Sequence, residues 1–266
     1  MTSQINTEAQ QETRLQPPCE ALPDGQEPNP PQQEPQGPPE AYLAALERLS
    51  SQYQVVVPII QNLDGTEKDG PDPSVSITYT VAQYAMSKIR NAAPTDHVCL
   101  VLHTGGGVYL ASEMIADQVR KHPGKVTAFV PYIATSGGTA VALAADELVL
   151  GQAARLGPID SLTWGHQSSS YARLRGEKNV DQIEDQTLLI GYCAEKFDDY
   201  AKRGARKLLN PVHYKDGAEK FHVADTLSGD QYSHGRGFDR EDLLKLGVCL
   251  ADVSDCPDEV YALVDA

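Results

Sequence analysis

The chain has 266 residues, with 37 acidic and 22 basic side chains and a formal net charge of −15. This length allows one large domain or two small ones, and the acidic surplus argues against binding to nucleic acid or anionic lipid, which attract excess lysine and arginine. The sequence shows neither a secretory signal nor the run of about eighteen apolar residues that spans a membrane. Five dispersed cysteines without CxxC spacing indicate reduced thiols, so we expect a cytoplasmic protein without disulfides.

The first forty residues differ in composition from the rest of the chain. They contain nine of the 18 prolines, eight glutamines, and seven acidic residues against the single base Arg14, a net charge of −6 that leaves −9 for residues 41–266. Such a stretch buries too little apolar surface to offset the entropy of ordering it. We therefore predict a disordered Pro/Gln/Glu-rich arm over residues 1–40 and one folded domain over residues 41–266.

The folded domain begins with regular elements. It opens with a predicted helix over residues 41–52, a strand over 54–60 and, after a loop over 61–74, a helix over 79–90. Pro58 indicates an edge strand or the end of a strand, because proline cannot donate to a sheet ladder. The chain then alternates, with strand 97–103, helix 109–121, strand 125–131, helix 139–145 and strand 147–150. Strands that alternate with helices in this way pair in parallel, so the predicted fold class is α/β.

The last hundred or so residues are less regular. Residues 161–185 are polar and are predicted to form an exposed excursion, and a long helix follows over residues 185–207. On or near one face of that helix lie Leu188, Leu189, Tyr192, Cys193 and Phe197. The final section carries a predicted helix over residues 239–248 and a candidate terminal strand over 260–264.

Two glycine-rich turns follow successive predicted strands, at the edge where parallel sheets place their ligands. The first glycine turn is Thr104-Gly105-Gly106-Gly107, and the serine turn is Thr135-Ser136-Gly137-Gly138. Consecutive glycines direct backbone N–H groups into an open concavity, and a serine before a helix N-terminus is exposed beside a dipole that favours an oxyanion. Together the turns supply a nucleophile and two sets of donors, as acyl transfer requires.

Each turn also has a simpler interpretation. The first glycine turn alone is typical of a tight turn or an anion site, and Ser136 alone is typical of a helix N-cap. A dinucleotide site is disfavoured because the glycines do not follow the G-x-G-x-x-G pattern. The functional interpretation depends on the pair of turns, one strand–helix unit apart.

Five short runs in this order resemble the serine dehydrogenase proteinase family, which comprises Clp-like serine peptidases related to signal peptide peptidase A and NfeD-type peptidases. The runs are HTGGG (103–107), HPGKV (122–126), ATSGGT (134–139), ALAADE (142–147) and LGPID (156–160). The resemblance implies a Clp/crotonase fold, a spiral of ββα units commonly assembled into homo-oligomeric rings, that acts on protein or peptide substrates. By the same resemblance Ser136 is the nucleophile, and Gly106, Gly107 and Gly137 supply oxyanion-hole amides.

The general base is less clearly marked. The histidine of a Clp-type triad would fall near residues 157–160, where the sequence reads Gly-Pro-Ile-Asp. The signal peptide peptidase A and NfeD-type branches use a lysine base, and by resemblance to them Lys196 is the first candidate and Lys178 the second. A lysine acts as a base only where burial or a nearby cation lowers its pKa. An exposed helical lysine with local ion pairs is the simpler interpretation of Lys196. Asp160 is either an orienting carboxylate or a turn cap, and His234 is an alternative base.

These observations predict a serine endopeptidase that forms an acyl-enzyme on Ser136 with Lys196 as general base. Two alternatives stay open at this point. A crotonase-like acyl-CoA enzyme would use the same two turns to hold an enolate, and a catalytically inactive scaffold would bind partners without chemistry. We expect no cofactor and no metal ion, because the seven histidines are dispersed and no metal-ligand spacing is present.

Overall fold

The computed structural model describes residues 38–63 and 76–266. The predicted arm over residues 1–40 lies outside this range except for its last three residues, and so does most of the predicted loop over residues 61–74.

The described residues form nine α-helices and eight β-strands. The helices are α1 Glu40–Gln52, α2 Tyr79–Asn91, α3 Tyr109–Lys121, α4 Gly137–Ala142, α5 Ser168–Glu177, α6 Asp185–Leu208, α7 Gly217–Ser228, α8 Arg240–Leu246 and α9 Asp258–Asp265. The strands are β1 Val55–Ile60, β2 Val98–His103, β3 Val126–Val130, β4 Ile133–Ala134, β5 Glu147–Leu150, β6 Arg155–Leu156, β7 Leu162–Thr163 and β8 His166–Gln167.

The main sheet is parallel throughout, in the order β1-β2-β3-β5. The predicted α/β class is thus confirmed. β1 is an edge strand, as Pro58 indicated: the N–H groups of Val55 and Gln61 donate to carbonyls of residues 97 and 103. Because alternate residues of a strand point their N–H groups to opposite sides, the nitrogen of Pro58 faces away from β2, where no donor is required.

Both faces of the sheet are covered. Val57, Leu100 and Leu148 belong to the larger core, which includes buried residues of α2, α3 and α4. Val56 and Val101 belong to a smaller core with buried residues of α1 and α9. This double burial explains why β2 is a continuous apolar run from Val98 to Leu102 without alternation.

The least regular part of the sequence contains more structure than predicted. The polar excursion contains the short β7–β8 hairpin and the helix α5. The helix α7 has no counterpart among the predicted elements, and the candidate terminal strand is instead the helix α9. The long helix α6 matches its prediction. Its buried positions are glycines and alanines, together with Leu208 at its end: Gly191, Ala194, Ala201, Gly204, Ala205 and Leu208. The larger side chains Leu189, Tyr192 and Phe197 of the apolar stripe are exposed, so the stripe and the core-packed face lie on different sides of α6.

Candidate functional site

Ser136 lies in the sharp turn between β4 and α4. Its backbone φ of 52° and ψ of −123° fall in a region that residues other than glycine rarely adopt. Although Ser136 occupies the N-cap position of α4, its side chain makes no capping hydrogen bond. A strained strand-to-helix turn that leaves a serine hydroxyl available is the geometry of a nucleophile elbow.

The first glycine turn packs directly against the serine turn. The N–H of Thr135 donates to the carbonyl of Thr104 at 3.0 Å, and the Thr135 hydroxyl donates to the carbonyl of Gly105 at 2.9 Å. Gly106 has a φ of 95°, and a Cβ at this position would stand 2.7 Å from the Cβ of Ser136. Position 106 therefore requires glycine both for its backbone conformation and for the close approach of the two turns.

The amides of the two turns differ in availability. The N–H of Gly106 donates to the hydroxyl of Thr104 at 3.0 Å, and that hydroxyl in turn donates to Gln61. The N–H groups of Gly107 and Gly137 have no hydrogen-bond partner among the described residues. Of the three amides expected to form an oxyanion hole, two are thus available to a bound oxygen, and the third is engaged in holding the turn.

A carboxylate–imidazole pair faces the same region. Nδ1 of His234 lies 2.9 Å from Oδ1 of Asp160, which makes the ring nitrogen the donor to the carboxylate. The side chain of Asp160 is only 3% exposed, whereas that of His234 is 25% exposed. No hydrogen bond from a described residue reaches Nε2 of His234, so this nitrogen is available to a group in the cavity.

Long-range pairing brings these two residues together. Leu156 and Phe238 exchange two backbone hydrogen bonds of 3.0 and 2.7 Å, which joins β6 to the segment that follows His234. The side chain of Gln167 connects the same two segments, because its Nε2 donates to Oδ2 of Asp160 at 3.0 Å and to the carbonyl of Tyr232 at 2.7 Å.

Ser136, Asp160 and His234 line one cavity of about 640 Å³, together with Gly105 and Gly107. The rest of its wall is predominantly apolar or aromatic: Tyr79, Val108, Tyr109, Leu110, Ser161, Leu162, Phe197 and Tyr200. A hydrogen bond to the carboxylate of Glu113 is the main factor that raises the pKa of Tyr200 to about 12. Among the described residues that line the cavity, Asp160 is the one acidic side chain and His234 the one basic side chain.

The structure does not bring the two candidate lysines to this cavity. Lys196 is exposed on α6, one residue before the cavity-lining Phe197, and does not itself contribute to the lining. Lys178 is exposed at the end of α5 and is absent from the lining as well. Ser136, Gly107, Asp160 and His234 are the predicted site residues that line one space, and Gly137 directly follows Ser136.

Other parts of the described chain offer less chemistry. A larger groove of about 880 Å³ lies beside α1, α2 and β1, but its lining contains no histidine or cysteine. Within residues 38–63 and 76–266, no group of three or more His, Cys, Asp or Glu side chains is placed to hold a metal ion. No helix in the same part of the chain is long and apolar enough to cross a membrane.

The cavity thus brings together a hydroxyl, an imidazole, a carboxylate and two available amide N–H groups. Enzymes that catalyse acyl transfer use these groups. A family model described as ClpP-like SDH-type serine proteinase matches residues 77–266, which include both turns, Asp160 and His234. The chain belongs to this family. Membership confirms the resemblance found in the sequence to a family of Clp-like serine peptidases.

Two similar proteins come from Methanocaldococcus jannaschii, and both are uncharacterized. The first is 29% identical over 227 residues, which cover 85% of this chain and 78% of that protein. The second is 28% identical over 189 residues and 71% of this chain, and the match spans 63% of that protein's length. A similar solved structure is that of a membrane-bound stomatin-specific protease, as a lysine-to-alanine mutant in complex with a substrate peptide. The TM-score is 0.45 and the sequence identity 16%, and the match covers 68% of this chain and 73% of that chain.

Sequence reasoning missed several residues of the site. Gln167 lies within the polar excursion and carries no motif, so its contact with Asp160 becomes visible only in three dimensions. Phe197 and Tyr200 were part of a predicted helix, without a sign that they face a cavity. Thr104 belongs to the HTGGG run. Its hydroxyl directly before three glycines is a sequence signal from which its role in holding the turn could have been inferred.

Proposed function

We propose that this protein is a serine endopeptidase with Ser136 as nucleophile, His234 as general base and Asp160 as the carboxylate that orients the imidazole. One observation carries the proposal. Ser136, in a strained turn and without a capping bond, lines the same cavity as a histidine whose Nδ1 is bonded to a buried carboxylate. In this arrangement the Nε2 lone pair of His234 is the base, because Nδ1 carries the proton that Asp160 accepts.

The reaction follows from these roles. As Oγ of Ser136 forms a bond to the peptide carbonyl carbon, its proton passes to Nε2 of His234. The negative charge on the carbonyl oxygen is stabilised by the N–H groups of Gly107 and Gly137. When the C–N bond breaks, His234 returns the proton to the leaving amine. Water then attacks the acyl-enzyme with His234 again as base, which releases the carboxylic acid and restores the serine.

The position of Lys196 supports histidine over lysine as the base. A lysine base requires burial or a neighbouring cation that favours the neutral amine. Lys196 is exposed, and the residues next to it in sequence are Glu195 and Phe197. The exposed position of Lys196 therefore supports His234 as the base.

The lining of the cavity supports an apolar side chain beside the bond that is cleaved. Leu110, Leu162 and Phe197 are between 44% and 53% exposed, although all three are large and apolar. A bound apolar side chain would remove this surface from water, at about 25 cal/mol per Å² of area buried. A charged side chain would lose hydration without gaining a partner on this wall.

The test compares the wild-type protein with Ser136→Ala. We expect wild type to react with a fluorophosphonate probe and to cleave fluorogenic peptides with leucine or phenylalanine before the scissile bond, and Ser136→Ala to do neither while it melts at a similar temperature. Retention of cleavage by Ser136→Ala would overturn the nucleophile assignment. An unreactive wild-type protein would favour the scaffold, and thermal stabilisation by acyl-CoA esters would favour the crotonase-like alternative.

A further inference from the structure

Gln167 makes the contacts of a positioning residue. Its Nε2 donates to Oδ2 of Asp160 at 3.0 Å and to the carbonyl of Tyr232 at 2.7 Å. Asp160 follows β6 and Tyr232 lies two residues before His234, so a single amide group links the two segments that supply the proposed carboxylate and base. The amide has two N–H donors, and both contacts can therefore be made at once.

The hydrogen bonds to Asp160 are divided between its two oxygens. Oδ1 accepts from His234 and Oδ2 accepts from Gln167, so the carboxylate plane is fixed from both sides. The carboxylate is almost fully buried, so the loss of the Gln167 donor would leave Oδ2 without the hydrogen bond that this side chain supplies. Without Gln167 the carboxyl group would be free to rotate, and His234 would lose its fixed orientation.

The position of Gln167 is itself well defined. Gln167 is paired with Leu162 in the β7–β8 hairpin, and the backbone N–H of Ser168 donates to the carbonyl of Ser161 at 2.9 Å. The hydroxyls of Thr163 and Ser168 lie 2.8 Å apart and close the base of the hairpin. Leu162 lines the cavity, so one strand of the hairpin forms part of the cavity wall and the other holds Gln167 against Asp160.

From this geometry we infer that Gln167 is a positioning residue for the Asp160–His234 pair: it holds the carboxylate and the segment before His234 in the alignment that directs Nε2 towards Ser136. This inference rests on the proposed function, because the alignment matters to catalysis only if His234 is the base. Gln167 itself touches neither substrate nor the reacting atoms. Its effect on the His234 proton is nevertheless measurable without any turnover.

The first experiment measures by NMR how fast the proton on Nδ1 of His234 exchanges with solvent, in protein labelled with 15N-histidine. The resonance of this proton is assigned by its loss in His234→Ala. In Gln167→Met, which keeps the side-chain length but removes both donors, we expect this proton to exchange with solvent at least about tenfold faster than in wild type. Gln186→Met, at an exposed position on α6, is the matched control and should leave the rate unchanged. An unchanged rate in Gln167→Met would overturn the inference.

The second experiment is a double-mutant cycle on peptide cleavage. We expect Gln167→Met to lower kcat about tenfold with little change in KM, and Gln167→Glu to lower it further because a second carboxylate would face Asp160. In an Asp160→Ala background, Gln167→Met should cause a clearly smaller loss, because only its bond to the Tyr232 carbonyl remains to be removed. An equal loss in both backgrounds, or a loss that only follows a lower melting temperature, would contradict the inference.

The two experiments separate the inference from the function on which it rests. If wild type lacks peptidase activity but the His234 proton responds to Gln167→Met, the proposed function fails and the positioning contact stands. If Ser136→Ala abolishes cleavage while Gln167→Met changes neither kcat nor proton exchange, the function stands and the inference fails.

Discussion

The two halves of the proposed site are built in different ways. Ser136 and the amides of Gly107 and Gly137 come from two turns that are continuous with the parallel strands. The backbone N–H and the hydroxyl of Thr135 tie these turns to each other. Asp160 and His234 come from loops 74 residues apart in sequence, joined by side-chain contacts and by the backbone bridge between Leu156 and Phe238. The residues around the nucleophile can therefore be recognised from short runs of sequence. The base and its carboxylate come together only through contacts that form when the chain folds.

The largest expected effect tests whether the base half is catalytic at all. We expect His234→Ala to lower kcat/KM by about 10⁴-fold or more, as the loss of the base of a serine triad does. His222→Ala, at an exposed position on α7, is the control and should change kcat/KM by less than about twofold. Steady-state cleavage of one apolar peptide by both variants measures the difference. Equal activity of the two variants would mean that the site consists of the glycine turns alone.

The same contrast explains what the sequence could predict. Parallel strands, the edge position of β1 and the two turns followed from apolar runs, Pro58 and glycine spacing, because these patterns act over a few residues. The pairing of His234 with Asp160 depends on the antiparallel bridge between Leu156 and Phe238, which no short-range pattern marks. Lysine was therefore preferred as the base on resemblance alone, while His234 was kept as an alternative.

The face of α6 that packs on the core is not evident from the sequence for a related reason. Helical spacing identifies a stripe of apolar residues but not the element that the stripe packs against. Gly204 lies so close to the ring of Tyr109 that any side chain would collide with it, which places the small-residue face of α6 on the core. The apolar side chains left on the outside include Phe197, part of the cavity wall.

A second prediction sharpens the nucleophile half by comparing neighbouring glycines. A Cβ at position 107 would overlap the backbone of Ile77, whereas a Cβ at position 105 would make an ordinary contact with Leu63 at 3.6 Å. We expect Gly107→Ala to shift the turn and to lower kcat by about 10²–10³-fold, the cost of losing one oxyanion-hole donor. Gly105→Ala should cost less than about threefold.

Kinetics and thermal melts of both glycine variants separate catalysis from folding. Gly107→Ala should keep a cooperative melt and lose activity far beyond what any loss of folded protein explains. If Gly105→Ala were instead the more damaging substitution, the N–H of Gly107 would not be the donor that the mechanism requires.

A third prediction examines the cavity wall that α6 supplies. Phe197 and Tyr192 are both exposed aromatic residues of α6, but only Phe197 lines the cavity, while Tyr192 stacks on the guanidinium of Arg175 at 4.3 Å. We expect Phe197→Ala to lower kcat/KM about tenfold for peptides with an apolar residue before the scissile bond, mainly through KM. Tyr192→Ala should leave both parameters within about twofold. Similar losses in both variants would indicate a general effect on α6 instead of a contact with substrate.

The smallest expected effect discriminates between the two general bases. Lys196 is exposed on α6 and lies outside the cavity lining, so Lys196→Ala should change kcat/KM by less than about twofold and leave the melting temperature nearly unchanged. The measurement is informative because the two mechanisms predict opposite results for one substitution. With lysine as the base, Lys196→Ala would lose about as much activity as Ser136→Ala, and His234→Ala would be mild. That outcome would require α6 to move Lys196 into the cavity when substrate binds, and the base half of the site would then have to be sought on α6.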